Sequence, residues 1–163
     1  MDLHRPQKTI VVCVDDSVIT RNAFLWALEN VWTPSHHLRL VHVQPFHEQV
    51  DVVMEAHKVI PIYSAGEVSG ESLRIAKKYA NMCKEKGLED FKEDIIMKDG
   101  SIGKAVCDYV HELDTANEEV VLVVGSRQLG LIDRVLLGST SEYCVRNCSC
   151  PVIIVKYSTE KSD

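Results

Sequence analysis

The chain has 163 residues, of which 45% are hydrophobic and 26% charged, a size and composition that give one domain with a core of its own. Eighteen basic against 24 acidic side chains leave a net charge of −6 with no basic run, which excludes the electrostatic footprint of a nucleic-acid or anionic-membrane binder. The start, MDLHRPQK, carries no apolar leader, and no apolar run approaches the roughly 20 residues of a membrane span, so the expected compartment is the cytoplasm.

The first apolar run, TIVVCV (9–14), is near-continuous rather than alternating, as a parallel strand covered on both faces is. SVITRNAFLWALENVW follows, with Ala23, Trp26, Ala27, Val31 and Trp32 recurring at helical spacing. LRLVHV (38–43) reads as the second strand. The stretch 44–66 fits no single clean element and is too long for a plain connection, so it is a lid over a site or a variable excursion. Residues 69–86 return to the helical pattern through Leu73, Ala76, Tyr79, Ala80 and Cys83. EDIIMK (93–98) is the third strand, and Asp99-Gly100-Ser101 opens a helix marked by Ile102, Val106, Tyr109, Val110 and Leu113. VVLVVG (120–125) is the fourth strand. A short helix over about 139–148 ends before Pro151, and PVIIVK (151–156) is the fifth strand. The tails, 1–7 and 158–163, frame a core of about 7–157 in one domain, 1–163. Strands alternating with helices predict an α/β fold, an open, doubly wound, five-stranded parallel sheet.

In such a sheet ligands sit beyond the carboxyl ends of the strands, where the strand order reverses. The ends here carry Asp15-Asp16-Ser17, Gln44, Asp99-Gly100-Ser101 and Gly125-Ser126-Arg127. The dinucleotide fingerprint is absent, because CVDDSVIT holds no glycine. Gly125 and Gly130 have the glycine spacing of a P-loop, but Leu131-Ile132 stand where Lys and Ser or Thr are needed. A different anion site remains. Gly125 is expected to turn the chain sharply off the fourth strand, and Gly138-Ser139-Thr140-Ser141 opens the last helix, whose N-terminus offers N–H groups and partial positive charge. The plainer alternative is that Ser139 or Thr140 merely caps its helix. Arg127, Arg134, Arg146 and Lys156 add basic side chains to this part of the chain.

Of six cysteines, Cys144, Cys148 and Cys150 are clustered. Zinc or a redox pair is one reading. No C-x-x-C exists and no histidine lies close by, so the expectation is small apolar residues on a helix face and at a strand entry. His36, His37, His47 and His57 crowd the second strand and the excursion without the spacing of a ligand set, and His42 reads as a core or pocket-wall residue. No nucleophile–base pair stands out.

G-S-R-Q, nine residues, then G-S, resembles the glycine signature of the universal stress protein family: G-x-x-G, nine residues, then Gly followed by Ser or Thr. TIVVCVDDS resembles that family's first strand with its acidic end, LVHV its second strand, and LIDRVLLGSTSEYCVRNCSCPVIIVK its C-terminal block, so the likeness covers about residues 7–157. The resemblance implies strand order 3-2-1-4-5, a Rossmann-like adenine-nucleotide fold, and a homodimer formed through the last strand, about 151–156. It implies ATP or AMP as cofactor, Mg²⁺ arriving with the phosphates near Asp15, and at most slow hydrolysis, the nucleotide serving as a stress-response or signalling switch. By position, Cys13 and Val43 would line the adenine pocket and Asp15 would face the ribose. Val124 and Gly125 would border ribose and phosphates, and Gly138, Ser139 and Thr140 the phosphates; Arg127 and Gln128 share that loop. The sequence departs from the family at Asp16, where glycine is usual, and at Gln128, which replaces the second signature glycine. If residue 128 must take a positive φ, the glutamine costs about 1–2 kcal/mol.

Two other functions fit parts of the sequence. A nucleotide-free dimeric module would keep the fold with a vestigial pocket and pair through its apolar last strand. A phosphoacceptor receiver would use Asp15-Asp16, Asp99, Ser126 and Lys156. Asp99, however, lies an extra strand away from Asp15, and only STEKSD follows Tyr157, where a receiver needs another helix.

Overall fold

The computed structural model describes residues 7–45, 50–55, 58–63, 67–98, 100–115, 119–127 and 137–157. Along the chain run β1 (Lys8–Cys13), α1 (Val18–Asn30), β2 (His37–Pro45), β3 (Val50–Glu55), β4 (Lys58–Tyr63) and α2 (Gly70–Glu85). After them come β5 (Phe91–Lys98), α3 (Ile102–Thr115), β6 (Glu119–Arg127), α4 (Ser139–Asn147) and β7 (Val152–Tyr157). Five strands pair in the order β5-β2-β1-β6-β7, every pairing parallel. Numbered within the sheet this is 3-2-1-4-5, as the resemblance implies. A receiver sheet runs 2-1-3-4-5, so that reading lacks its topology.

The strands are apolar throughout because both faces are covered. Ile10 and Val12 of β1 face α1 and α2 with Phe24, Ala27, Tyr79 and Cys83. Val11, between them, faces α3 and α4 with Val106, Val110 and Cys144. The Phe24 and Tyr79 rings meet edge to face at 5.2 Å and 82°. Such a pair adds about 0.5–1.5 kcal/mol beyond its buried area and joins α1 to α2.

Two helix faces differ from expectation. Trp26 is 36% exposed, and Phe24 occupies the core in its place beside Ala23 and Ala27, because the Tyr79 ring gives it an aromatic partner. Leu73 is 55% exposed while Ser72 and Ile75 are buried. The buried stripe of α2 centres on Tyr79 and Cys83, and Ser72 lies inside it because its hydroxyl has buried partners. The excursion over 44–66 holds an element of its own, an antiparallel hairpin of β3 and β4 with Val50 opposite Tyr63 and Glu55 opposite Lys58.

Candidate functional site

The sheet's strand order reverses between β1 and β6, which pair side by side while their connections leave in opposite directions. A cavity of about 440 Å³ opens there, beyond the carboxyl ends of β1, β2 and β6 and between the starts of α1, α3 and α4.

The β1 end is built first. Val14 extends the ladder by donating its N–H to the Val41 carbonyl at 2.9 Å. Asp15 then folds back: its Oδ1 accepts the Ser17 N–H at 2.7 Å and the Thr20 hydroxyl at 2.6 Å. Ser17 caps α1 by accepting the Thr20 N–H. Tyr79 donates its hydroxyl to the Asp15 carbonyl at 3.0 Å, tying the loop to α2. Partial burial pushes the Asp15 carboxyl up, but the Ser17 and Thr20 hydrogen bonds outweigh it and hold the group below its ordinary range. Asp16 points elsewhere. It receives Arg74 at 2.9 Å and Lys78 at 3.0 Å, and those hydrogen bonds draw its carboxyl down to about 2.

The β2 end carries a relay that the sequence did not announce. The His42 Nδ1 lies 3.0 Å from the Val14 carbonyl and its Nε2 lies 3.1 Å from the Ser72 hydroxyl. A carbonyl only accepts, so Nδ1 carries the proton and Nε2 accepts from Ser72, which in turn accepts from Ser69 at 3.0 Å. His42 is a wall residue held by two partners. Gln44, next but one, holds the approach to α2 through the Glu67 carbonyl and the Ser69 N–H.

Gly125 departs from expectation. The chain does not turn at it; β6 runs on to Arg127. The glycine is there for packing: a Cβ would stand 2.9 Å from Ile19 Cγ2 and 3.0 Å from the Ile19 carbonyl. The start of α1 therefore presses against the β6 backbone, which brings the β1 and β6 walls together.

The opposite wall is the start of α4. Gly138 is its N-cap and supplies no side-chain cap, and neither Ser139 nor Thr140 caps the helix. Ser141 is buried and donates its hydroxyl back to the Gly138 carbonyl at 2.9 Å. The N–H groups of the first turn have no intrahelical acceptor and lie at the cavity. Arg146 does not line the cavity and pairs with Glu142 at 3.0 Å.

Of the residues singled out from sequence, Cys13, Asp15, Val43, Val124, Gly125, Gly138, Ser139 and Thr140 all line this one cavity. Gln128 and the Arg127 side chain lie outside the described residues, as do Asp99, Arg134, His47 and His57. The fold adds Thr20, Ile102 and Val106 to the wall. Ile102 gave a signal: a large apolar residue at the first position of a helix, 44% exposed, because it faces the cavity instead of the core. Cys13 is a wall residue, not a nucleophile, since burial pushes its thiol well up. As a magnesium ligand, Asp15 offers a single carboxylate with one oxygen already accepting two hydrogen bonds. Asp16 is committed to α2, so a magnesium ion here fits only with phosphate oxygens completing its shell.

The sequence matches the family described as Universal stress protein family over residues 7–156. Among curated proteins it is 27% identical over 157 residues to a universal stress protein A-like protein of Arabidopsis thaliana, spanning 90% of this chain and 83% of that one. Among solved structures, a universal stress protein family protein from Arabidopsis thaliana with AMP bound aligns with a TM-score of 0.57 at 23% identity, covering 96% of each chain. A universal stress protein from Archaeoglobus fulgidus in complex with dAMP aligns with a TM-score of 0.54 at 16% identity, covering 93% of this chain and 98% of that one.

Proposed function

Because the chain belongs to the universal stress protein family, we propose that it binds an adenine nucleotide, ATP or AMP, in the cavity between β1 and β6 and serves as a nucleotide-dependent switch in stress response or signalling. The observation that carries this reading is the first turn of α4. Its N–H groups, with no side-chain cap among the described residues, lie at a cavity whose lining joins an apolar set, Cys13, Val41, Val43, Ile102, Val106 and Val124, to an acidic strand end at Asp15, an arrangement that suits an anionic group attached through a sugar to a flat apolar one. Cys13 and Val43 wall the base and Asp15 faces the ribose. Val124 and Gly125 border the sugar and phosphates, and Gly138, Ser139 and Thr140 take the phosphates. Arg127 and Gln128 are assigned to the same phosphate set by their place in the glycine signature. Two family members with AMP or dAMP bound support the ligand class. Magnesium arrives with the phosphates of ATP.

The output of the switch is association through β7. The two edges of the sheet differ: β5 exposes Lys92 and Glu93, whereas β7 offers Val152, Ile153 and Ile154 half-buried with no strand beside them among the described residues. An apolar edge of this kind pairs with a second copy. The compartment is the cytoplasm, in keeping with six cysteines that are all free thiols. Among the described residues no helix is long and apolar enough to cross a membrane.

Calorimetric titration of AMP and of ATP with Mg²⁺ into the purified protein, beside Gln128→Gly, tests the binding. Micromolar heats in the natural chain support the switch. Binding confined to the variant means that one glutamine has closed the site and the protein works through its surfaces as a dimeric module. No heat in either removes the nucleotide reading. Sedimentation with and without nucleotide then reads the output, and Ile154→Lys on β7 should leave a monomer.

A further inference from the structure

Among the described residues, a group of three metal-ligating side chains lies away from the cavity, on the face of the sheet that α3 and α4 cover. In the sequence Cys144 and Cys148 stand together; the fold brings Cys107 to them. Cys107 projects from α3, Cys144 from α4, and Cys148 is the residue at which α4 ends. Their three sulfur atoms all lie within 4.8 Å of one another. Cys107 and Cys144 are buried and Cys148 is half-buried.

The framework under these sulfurs is tightly fixed. A Cβ on Gly103 would stand 2.7 Å from the Cβ of Tyr143, so α3 and α4 meet at closest approach one turn from Cys107 and one residue from Cys144. The Cys144 thiol also faces the Gly103 carbonyl at 4.0 Å. Three thiolates around one ion at a metal–sulfur distance of about 2.3 Å place their sulfurs about 3.7–4.0 Å apart. From at most 4.8 Å that is a closure of no more than about 1.1 Å, within reach of small side-chain rotations on a fixed backbone.

We propose that Cys107, Cys144 and Cys148 form a site for one soft, thiophilic metal ion, of the zinc(II) and copper(I) class, that clamps α3 to α4. The donor set decides the class: three sulfurs with no carboxylate or imidazole among them reject magnesium and calcium and favour thiophilic ions. Binding exchanges three thiol protons, released to solvent, for three metal–sulfur bonds, with no change of oxidation state. The half-exposed side at Cys148 leaves room for water to complete a tetrahedral zinc shell. A disulfide switch is the weaker use of the same atoms, since it joins only two of the three sulfurs, leaves the third without a role and needs an oxidant.

The test is a titration of the full, reduced chain with Cd²⁺, read by the thiolate-to-cadmium charge-transfer absorption, followed by displacement with Zn²⁺. The expected result is a saturable band with an endpoint at one ion per chain. Cys83→Ala, on the opposite face of the sheet, should leave both endpoint and intensity unchanged. Cys148→Ser, at a half-exposed helix end where serine is tolerated, should lose the endpoint, and Cys107→Ser should do the same. If Cys107→Ser fails to fold, Cys148→Ser decides alone. A natural chain without a saturable band overturns the site. So does a band that survives Cys148→Ser at full intensity, or one that vanishes only with Cys150→Ser.

Discussion

The two polar walls of the cavity are built on opposite plans. On the β1 side nearly every polar group is already engaged. Asp15 holds Ser17 and Thr20, Tyr79 holds the Asp15 carbonyl, and behind the wall Asp16 holds Arg74 and Lys78. On the α4 side the helix starts at a glycine, and among the described residues no side chain caps its first-turn N–H groups. The committed wall gives the cavity its shape; the open one is where a new negative charge gains free energy. Substitutions on the first should therefore be felt in stability before binding, and on the second in binding before stability.

The largest effect should come from the seam that joins the walls. Gly125→Val places a Cβ 2.9 Å from Ile19 Cγ2 and 3.0 Å from its carbonyl oxygen, and the carbonyl belongs to backbone that cannot swing aside. Overpacking of this kind costs about 1–3 kcal/mol. The start of α1 must retreat from β6, so a thermal melt should shift down and the calorimetric nucleotide signal should vanish together. A variant that melts lower yet binds unchanged would separate seam from site.

Next is the committed wall itself. Asp15→Ala leaves the Ser17 N–H and the Thr20 hydroxyl without their acceptor and should cost roughly 1 kcal/mol, the scale of a lost helix-start cap, in a denaturant melt. Acid should act on the same groups. Asp15 and Asp16 both titrate below the ordinary value of 3.8 in the folded chain, Asp16 near about 2, so the folded state binds fewer protons than the unfolded one. Their contribution is fully present above 3.8 and is lost as the pH falls from there toward about 2. Asp16→Asn should flatten the pH dependence of the melting temperature in that window and leave it unchanged above.

The same division explains what could be read from the sequence. Strands and helices were legible because each apolar run or stripe is dictated by what covers it locally, and β1, α3 and α4 begin and end close to where the pattern puts them. Partners across the fold were not legible. Nothing near Asp16 announces Arg74 and Lys78, nothing near His42 announces Ser72, and Cys107 is remote in sequence from Cys144. Gly125 was read as a turn because a glycine after a strand usually is one; only the position of Ile19 shows that it is a contact. The β3–β4 hairpin is not legible because VDVVME breaks the alternation with adjacent apolar residues and Pro61 stands inside the second strand.

The smallest effect on stability should come from the open wall, and its value lies in its sign. Ser139→Asp puts a carboxylate on the first residue of α4, where the helix N-terminus has no side-chain cap. Negative charge there interacts favourably with the helix dipole, by about 0.3–1 kcal/mol, so the melting temperature should rise slightly or hold. A nucleotide phosphate needs the same N–H groups and meets the new charge at contact distance, so its affinity should fall by about tenfold or more, the equivalent of about 1.4 kcal/mol. Phosphorylation at Ser139 or Thr140 would act in the same direction with more charge, whereas Ser141 is buried. Stability and affinity moving in opposite directions is what an anion receptor predicts. If α4 merely starts at this point and receives nothing, the substitution should change the melt as described and leave the nucleotide titration as it was.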